Sequence, residues 1–108
     1  MMLAIVRLVA PPTRRHDVVQ ILRSLVGPTQ VEPGCLGCGI YAGVEDANML
    51  TFMEEWHTQE DFERHLRSAA YRTLLEVMEL AREAPTVQFH TVVQTVGIEA
   101  IYAARGLP

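Results

Sequence analysis

Two strand-like runs of residues, 35–42 and 49–57, flank a short connection that is rich in turn formers. The connection, residues 43–48, contains Gly43, Asp46 and Asn48, which suit tight turns. Strands joined over so few residues pair antiparallel. The sequence therefore predicts a β-hairpin in the middle of the chain, around which every other element must pack.

On each side of this hairpin lies a helical region and, beyond it, one further strand. Residues 3–9 are almost continuously apolar and precede Pro11 and Pro12, which predicts a short buried strand. Apolar residues at helical spacing then predict an amphipathic helix that ends at Gly27 and Pro28. The apolar face of this helix consists of Val18, Val19, Leu22, Leu25 and Val26.

The C-terminal half contains a helical region followed by a strand. Thr58 and Asp61 form a capping pattern, Ser68 predicts a break in the helical region, and residues 71–81 carry a second apolar stripe. Residues 87–96 alternate and predict a fourth strand. The order strand, helix, strand, strand, helix, strand is that of the ferredoxin-like split βαβ subunit, an α+β fold with an antiparallel sheet.

A sheet of this kind has helices on one face only, so its other face needs a second cover. In a chain of 108 residues the economical cover is a second copy of the same sheet, which predicts a homodimer. Residues 1–108 are expected to form one domain with its core in 3–96. Residues 97–108 fit either a helix or a fifth strand and are expected to contribute to an interface.

Composition excludes several classes of partner. The nine basic residues are all Arg and are scattered among 13 acidic residues, so no basic stripe is present for nucleic acid. No run of about 18 apolar residues predicts a membrane span. The N-terminus lacks a signal-peptide pattern and only two cysteines occur, so we expect a cytoplasmic protein.

The two cysteines, Cys35 and Cys38, are three residues apart in a predicted strand. In a regular strand, positions three apart point to opposite faces, so the two sulfurs are expected to diverge. We therefore expect small buried thiols here, and neither a redox pair nor a metal site.

An acid on a predicted buried face is the strongest candidate for chemistry. Glu54 shares one face of its strand with Phe52 and Trp56, where an acid needs a partner or a raised pKa. The favoured interpretation is an ion pair with a helical arginine: Arg64, Arg67 or Arg72. His65 lies at the edge of the helical stripe that faces the sheet and can meet Glu54 or Trp56.

Four features in this order give the chain a family resemblance: Glu32-Pro33-Gly34-Cys35, Glu54-Glu55-Trp56, Phe62-Glu63-Arg64-His65, and Tyr71. The set resembles the antibiotic biosynthesis monooxygenase domain family over residues 3–96, and most closely the small bacterial members described as quinol monooxygenases. The resemblance implies a dimeric α+β barrel with a pocket between each sheet and its helices. It also implies oxidation of phenolic or quinol-like substrates by O₂ without metal, flavin or other cofactor.

Two positions depart from the antibiotic-tailoring members of this family. Where those members have Asn and Tyr, four residues before and six after the Trp, this chain has Phe52 and Phe62. Haem-degrading relatives have a ligand His where this chain has residues around Leu75, so haem is not expected.

We therefore expect a cofactor-independent monooxygenase whose partners are a small aromatic substrate and molecular oxygen. His65 would be the general base or a hydrogen-bond donor, and Glu54 would set the tautomer and charge of His65. Trp56 would pack against the substrate ring and exclude water. The remaining substrate contacts would come from aromatic side chains: Tyr71, Phe52 and Phe62. Two alternatives stay open, a proton-shuttling isomerase and a non-catalytic dimer that binds a small ligand.

Overall fold

The strands form a single four-stranded antiparallel sheet. The computed structural model describes residues 1–108 and contains β1 (Met2–Val9), β2 (Cys35–Ala42), β3 (Met49–Trp56) and β4 (Thr86–Thr91). The strand order is β2-β3-β1-β4, and every neighbouring pair is antiparallel. The predicted ferredoxin-like α+β fold with an antiparallel sheet is confirmed.

The helices are α1 (Arg15–Gln30), α2 (Gln59–Leu66), α3 (Ala69–Glu79) and α4 (Glu99–Ala104), and a short 3₁₀ turn precedes α1. Thr58 caps α2 by accepting a hydrogen bond from the Asp61 N–H at 3.1 Å, and Ser68 caps α3 by accepting one from the Tyr71 N–H at 3.2 Å. The predicted break at Ser68 is thus present. No helix of the chain combines the length and apolar character that a bilayer crossing requires.

Alternation along the central strands decides which side chains enter the core. Val6 and Phe52 point to the face that α1 and α3 cover, where they pack with Leu22 and Leu74 at 2% exposure or less. Each such apolar side chain stabilises the fold by about 1.5–3 kcal/mol. The site described below lies at the end of this layer, against α2.

Helix α1 does not end at Gly27 and Pro28, as predicted, but continues to Gln30. Proline lacks an N–H and clashes with the carbonyl four residues before it, so it normally ends a helix. Here it lies in the last turn, between Leu25 and Thr29, which are both buried. We attribute the extra turn to the packing of these two side chains, which keeps the backbone helical past the proline.

The C-terminal region also differs from prediction. Strand β4 ends at Thr91 and not at residue 96: its ladder with β1 ends at the pair Met2 and Thr91, and one further hydrogen bond runs from the Val92 N–H to the Met1 carbonyl at 2.8 Å. Residues 97–108 contain helix α4 and no fifth strand, and residues 93–108 are all exposed. Their interface role stays a prediction.

A β-bulge between Cys35 and Gly37 overturns the prediction that the two sulfurs diverge. Cys35 pairs with Trp56 and Cys38 pairs with Glu54, so the extra residue, Leu36, brings both cysteines to one face of the sheet. Both thiols are half-buried and unbridged. The alternation argument failed because it assumed a regular strand.

Candidate functional site

The centre of the site is an imidazole held between two carboxylates. Nδ1 of His65 lies 2.6 Å from Oε2 of Glu32, and Nε2 of His65 contacts Oε2 of Glu54. A neutral imidazole has one N–H, whereas an imidazolium has two and can donate to both acceptors. The geometry therefore favours the protonated ring.

Glu54 reaches this position through the alternation of β3, and its side chain is 1% exposed. The predicted ion pair between Glu54 and a helical arginine is wrong. Arg64 instead pairs with Asp61 at 3.1 Å on the outer surface of α2, while its neighbour His65 points inward to Glu54. Successive residues of a helix face different directions, so only one of these two can reach the sheet.

Glu32 is the site residue that sequence reasoning did not find. It lies in the turn between α1 and β2, where its N–H donates to the Thr29 carbonyl and its own carbonyl accepts from the Cys35 N–H, both at 3.1 Å. Gly34 allows the chain to turn there with φ of 82°. The available signal was an acid directly before a Pro-Gly turn, but nothing local indicated that this acid meets the helix 33 residues later.

Aromatic rings enclose the imidazole on two sides. The Trp56 ring stacks on His65 with centroids 4.6 Å apart and an interplanar angle of 29°, and Tyr71 meets His65 edge-on at 5.4 Å. Phe62 lies beyond Trp56 at 6.5 Å. Phe52, in contrast, belongs to the larger apolar core under α1 and α3, apart from this cluster.

Burial and charge act in opposite directions on the ionisation of His65. Burial disfavours the imidazolium, but the hydrogen bond and negative charge of Glu54, with those of Glu32, outweigh it and raise the pKa of His65 above its ordinary value. Burial, with the charge of Glu54, raises the pKa of Tyr71 to about 12. The same two causes, burial first, raise the pKa of Cys38 to about 12.

One donor in the cluster lacks an acceptor. Trp56 is fully buried, and its indole Nε1–H has no hydrogen-bond partner in the chain. Buried N–H groups without a partner are rare, because leaving one unsatisfied costs about 1–3 kcal/mol. The indole can therefore donate to a ligand oxygen that reaches it.

Two cavities occur in the chain, and neither is lined by Trp56, Glu54 or His65. One, of about 200 Å³, lies between α1 and β2 beside Arg15, Arg23 and Tyr41. The other, of about 450 Å³, is open to solvent and is lined by Leu75, Met78, Glu79, Pro85 and Val87. The predicted residues Glu54, Trp56, His65 and Tyr71 are thus brought together in a packed interior, while their roles stay a prediction.

No group of three or more His, Cys, Asp or Glu side chains is arranged to hold a metal ion.

The family model of the antibiotic biosynthesis monooxygenases matches residues 1–77. This stretch contains both carboxylates, the imidazole and the aromatic rings around it, and more than half of the chain. The chain belongs to the antibiotic biosynthesis monooxygenase family.

Solved structures share the fold at low sequence identity. A crystal structure of an antibiotic biosynthesis monooxygenase superposes with a TM-score of 0.77 at 24% identity, over 87% of this chain and 100% of that one. A protein of Mycobacterium tuberculosis reaches 0.80 at 21% identity, over 89% and 98% of the two chains. A protein of Deinococcus radiodurans reaches 0.83 at 15% identity, over 91% and 98%. These similarities establish the fold.

A curated relative, an uncharacterised protein of Synechocystis, is 20% identical over 65 residues. The match covers 60% of this chain and 44% of the relative, so it spans less than half of that protein's length.

Proposed function

We propose that this protein is a cofactor-independent monooxygenase that oxidises a quinol or a related electron-rich aromatic. One observation carries the proposal: a buried imidazole is held between two carboxylates and stacked on an indole whose N–H has no acceptor. Acid, base and hydrogen-bond donor thus lie side by side, as deprotonation of a phenol requires.

Stability alone is a weak reason for such a cluster. A buried ion pair loses hydration energy of several kcal/mol per ion, and apolar residues of similar volume often stabilise a fold as well or better. Glu54 and His65 are 1% and 2% exposed, so both bear this cost. Buried ionisable groups with perturbed pKa values are frequent at functional sites.

Glu54 is the better candidate for direct contact with substrate, because both nitrogens of His65 are already engaged by carboxylates. The phenolic O–H bond breaks, its proton passes to Glu54, and the electron pair stays on the substrate as a phenolate. Coupling of a phenolate carbon with O₂ and return of the proton give a hydroperoxide. Loss of water from it leaves a carbonyl, so the substrate supplies all the electrons.

The aromatic residues serve this reaction in two ways. Trp56 donates its free N–H to an oxygen of the substrate or of the peroxide. Tyr71, whose pKa of about 12 keeps its phenol protonated, forms an uncharged wall next to the imidazole. Since Glu54 is 1% exposed and borders neither cavity, the substrate reaches it only after neighbouring side chains move.

We further propose that the protein acts as a homodimer. Helices α1, α2 and α3 cover one face of the sheet, whereas Ile5 and Met53, which pair across β1 and β3, lie on the other. The C-terminal segment also leaves large apolar side chains in solvent: Val93, Val96, Ile98, Ile101, Tyr102 and Leu107. A six-residue helix such as α4 is unstable alone, so a second copy is the simplest support for it.

Single-turnover oxygen uptake with a panel of reduced naphthoquinones tests the monooxygenase proposal. We expect uptake above the uncatalysed rate, with a loss of about 10²-fold or more in His65→Ala and a smaller loss in Trp56→Phe, which keeps the ring but removes the N–H donor. Glu63→Gln, on the exposed side of α2, serves as the matched control. The proposal fails if the wild-type protein does not accelerate uptake, or if both site variants equal it.

The cavity beside Leu75, Met78 and Val87 favours a second candidate, a dimer that binds a small apolar ligand without chemistry. This candidate predicts saturable binding of an apolar dye that Met78→Glu abolishes and Trp56→Phe leaves unchanged, with no oxygen uptake. Turnover that is equal with and without oxygen would instead favour the isomerase alternative.

A further inference from the structure

The three members of the carboxylate and imidazole cluster differ in depth. Glu54 is 1% exposed, His65 is 2% exposed, and Glu32 is 26% exposed. The contacts run in the same order, from Glu54 to Nε2 of His65 and from Nδ1 of His65 to Glu32. The cluster is therefore a continuous polar path from the packed interior to the surface.

We propose that Glu54, His65 and Glu32 form a proton relay, in which Glu32 is the positioning residue that connects the buried acid–base pair to solvent. The use of this relay in oxidation rests on the proposed function. The relay itself is a property of the protein without ligand and can be tested separately.

Protons and charges balance along this path. At rest the imidazolium shares one proton with each carboxylate, and the cluster carries a net charge of −1. When a proton enters on Glu54, the Nδ1 proton of His65 passes to Glu32 and from there to water, and Nε2 keeps its own. The cluster is left with protonated Glu54, neutral His65 and ionised Glu32, so its net charge is unchanged. The reverse path returns a proton to the interior.

The backbone holds the solvent end of the path in place. The turn that carries Glu32 is closed by its two backbone hydrogen bonds, to Thr29 and from Cys35, and the Gly34 carbonyl accepts from the His57 N–H at 2.7 Å. The fixed turn places the Glu32 backbone, and the 2.6 Å contact with Nδ1 orients its side chain. Glu32 is thus pre-oriented towards Nδ1.

The other titratable groups near the cluster do not offer a competing path. Tyr71 on α3 and Cys38 on β2 each have a pKa of about 12, so both stay protonated at neutral pH. Burial also raises the pKa of Cys35, with a smaller contribution from the charge of Glu54. The two carboxylates are the remaining acceptors that the imidazole contacts.

Proton exchange in the ligand-free protein tests the relay without any substrate. The Nδ1–H of His65 is followed by ¹⁵N-resolved NMR, and its exchange with water is measured by saturation transfer. Glu32→Gln removes the carboxylate that accepts the proton, so we expect exchange to slow by about tenfold or more, whereas Glu63→Gln leaves it unchanged. Equal or faster exchange in Glu32→Gln overturns the relay. If that variant does not fold, Glu32→Asp is used, and intermediate slowing is expected.

Single-turnover oxidation of a reduced naphthoquinone, followed by oxygen uptake, tests the relay during the reaction. We expect Glu32→Ala to lower the rate of oxidation with little change in half-saturating substrate, and added formate to restore it by supplying the missing carboxylate. A purely structural role of Glu32 predicts no rescue by formate. Absence of oxygen uptake in the wild-type protein refutes the monooxygenase proposal but does not affect the NMR test of the relay in the ligand-free protein. Uptake with an unaffected Glu32→Ala variant refutes the relay alone.

Discussion

Replacing the buried Glu54 and His65 pair separately and together gives the sharpest test of why the pair is present. Glu54→Leu leaves a buried imidazole without its inner acceptor, and His65→Phe leaves a buried carboxylate without its donor. Removing one partner of a buried pair costs about 3–5 kcal/mol. A domain of this size has a free energy of unfolding of about 5–15 kcal/mol, so each single variant is expected to remain folded but weakened.

The double variant Glu54→Leu with His65→Phe places two apolar side chains of similar volume where the charges were. The introduced phenyl ring takes the place of the imidazole, whose centroid lies 4.6 Å from that of Trp56, and Glu32, 26% exposed, is free to turn to solvent. Apolar replacement of a whole buried ion pair is often neutral or stabilising by about 1–4 kcal/mol. We expect the double variant to equal or exceed the wild-type stability, so the coupling energy is at least the sum of the two single costs, about 6 kcal/mol or more.

Urea denaturation followed by Trp56 fluorescence measures these free energies, with Glu63→Gln as the control for loss of an exposed carboxylate. Additive costs in the double variant would refute the reasoning, because they would mean that Glu54 and His65 do not interact. A double variant that is stable but does not consume oxygen would show that the pair is retained for chemistry and not for folding.

Three further predictions concern His65, Gly34 and the two cysteines. The pKa of His65 in the folded protein is raised above its ordinary value of 6.5. The stabilising contribution of the imidazolium is therefore complete below about pH 6.5 and is lost as pH rises through the pKa of the folded protein. The difference in free energy of unfolding between wild type and His65→Phe should shrink as pH rises through that pKa. Gly34→Ala should lower the free energy of unfolding by about 1–3 kcal/mol in the same denaturation assay, because φ is 82° and a Cβ would collide with the Asp61 carboxyl. Cys35 and Cys38 should react slowly with a thiol reagent at neutral pH compared with free cysteine, because burial raises both thiol pKa values, and fast modification of the folded protein would contradict this.

Alternation and helical spacing predicted the features of the site that depend on one element at a time. The period of two along β3 correctly predicted that Glu54 and Trp56 face the helices. The helical stripe correctly predicted that His65 faces the sheet. The hairpin and the capping residues Thr58 and Ser68 were also predictable, because turn and cap chemistry are local.

Features that depend on distant contacts were not predictable in this way. The partner of Glu54 was expected to be an arginine, and Glu32 was not expected at the site at all, because its turn meets α2 only in the folded chain. The bulge at Leu36 reversed the predicted direction of Cys38, since one inserted residue changes every later position in a period of two. The extra turn of α1 past Pro28 shows packing overriding local preference.

The ionisation of the His65 imidazole tests the central claim most directly. ¹⁵N NMR of the ring nitrogens during a pH titration reports whether Nδ1 and Nε2 are both protonated and at what pH the ring loses a proton. The contacts with Glu32 and Glu54 predict two N–H groups at about pH 6, a midpoint above 6.5, and lower midpoints in Glu32→Gln and Glu54→Gln. A neutral ring with one N–H at that pH, or a midpoint below 6.5 that neither variant lowers, would contradict the account.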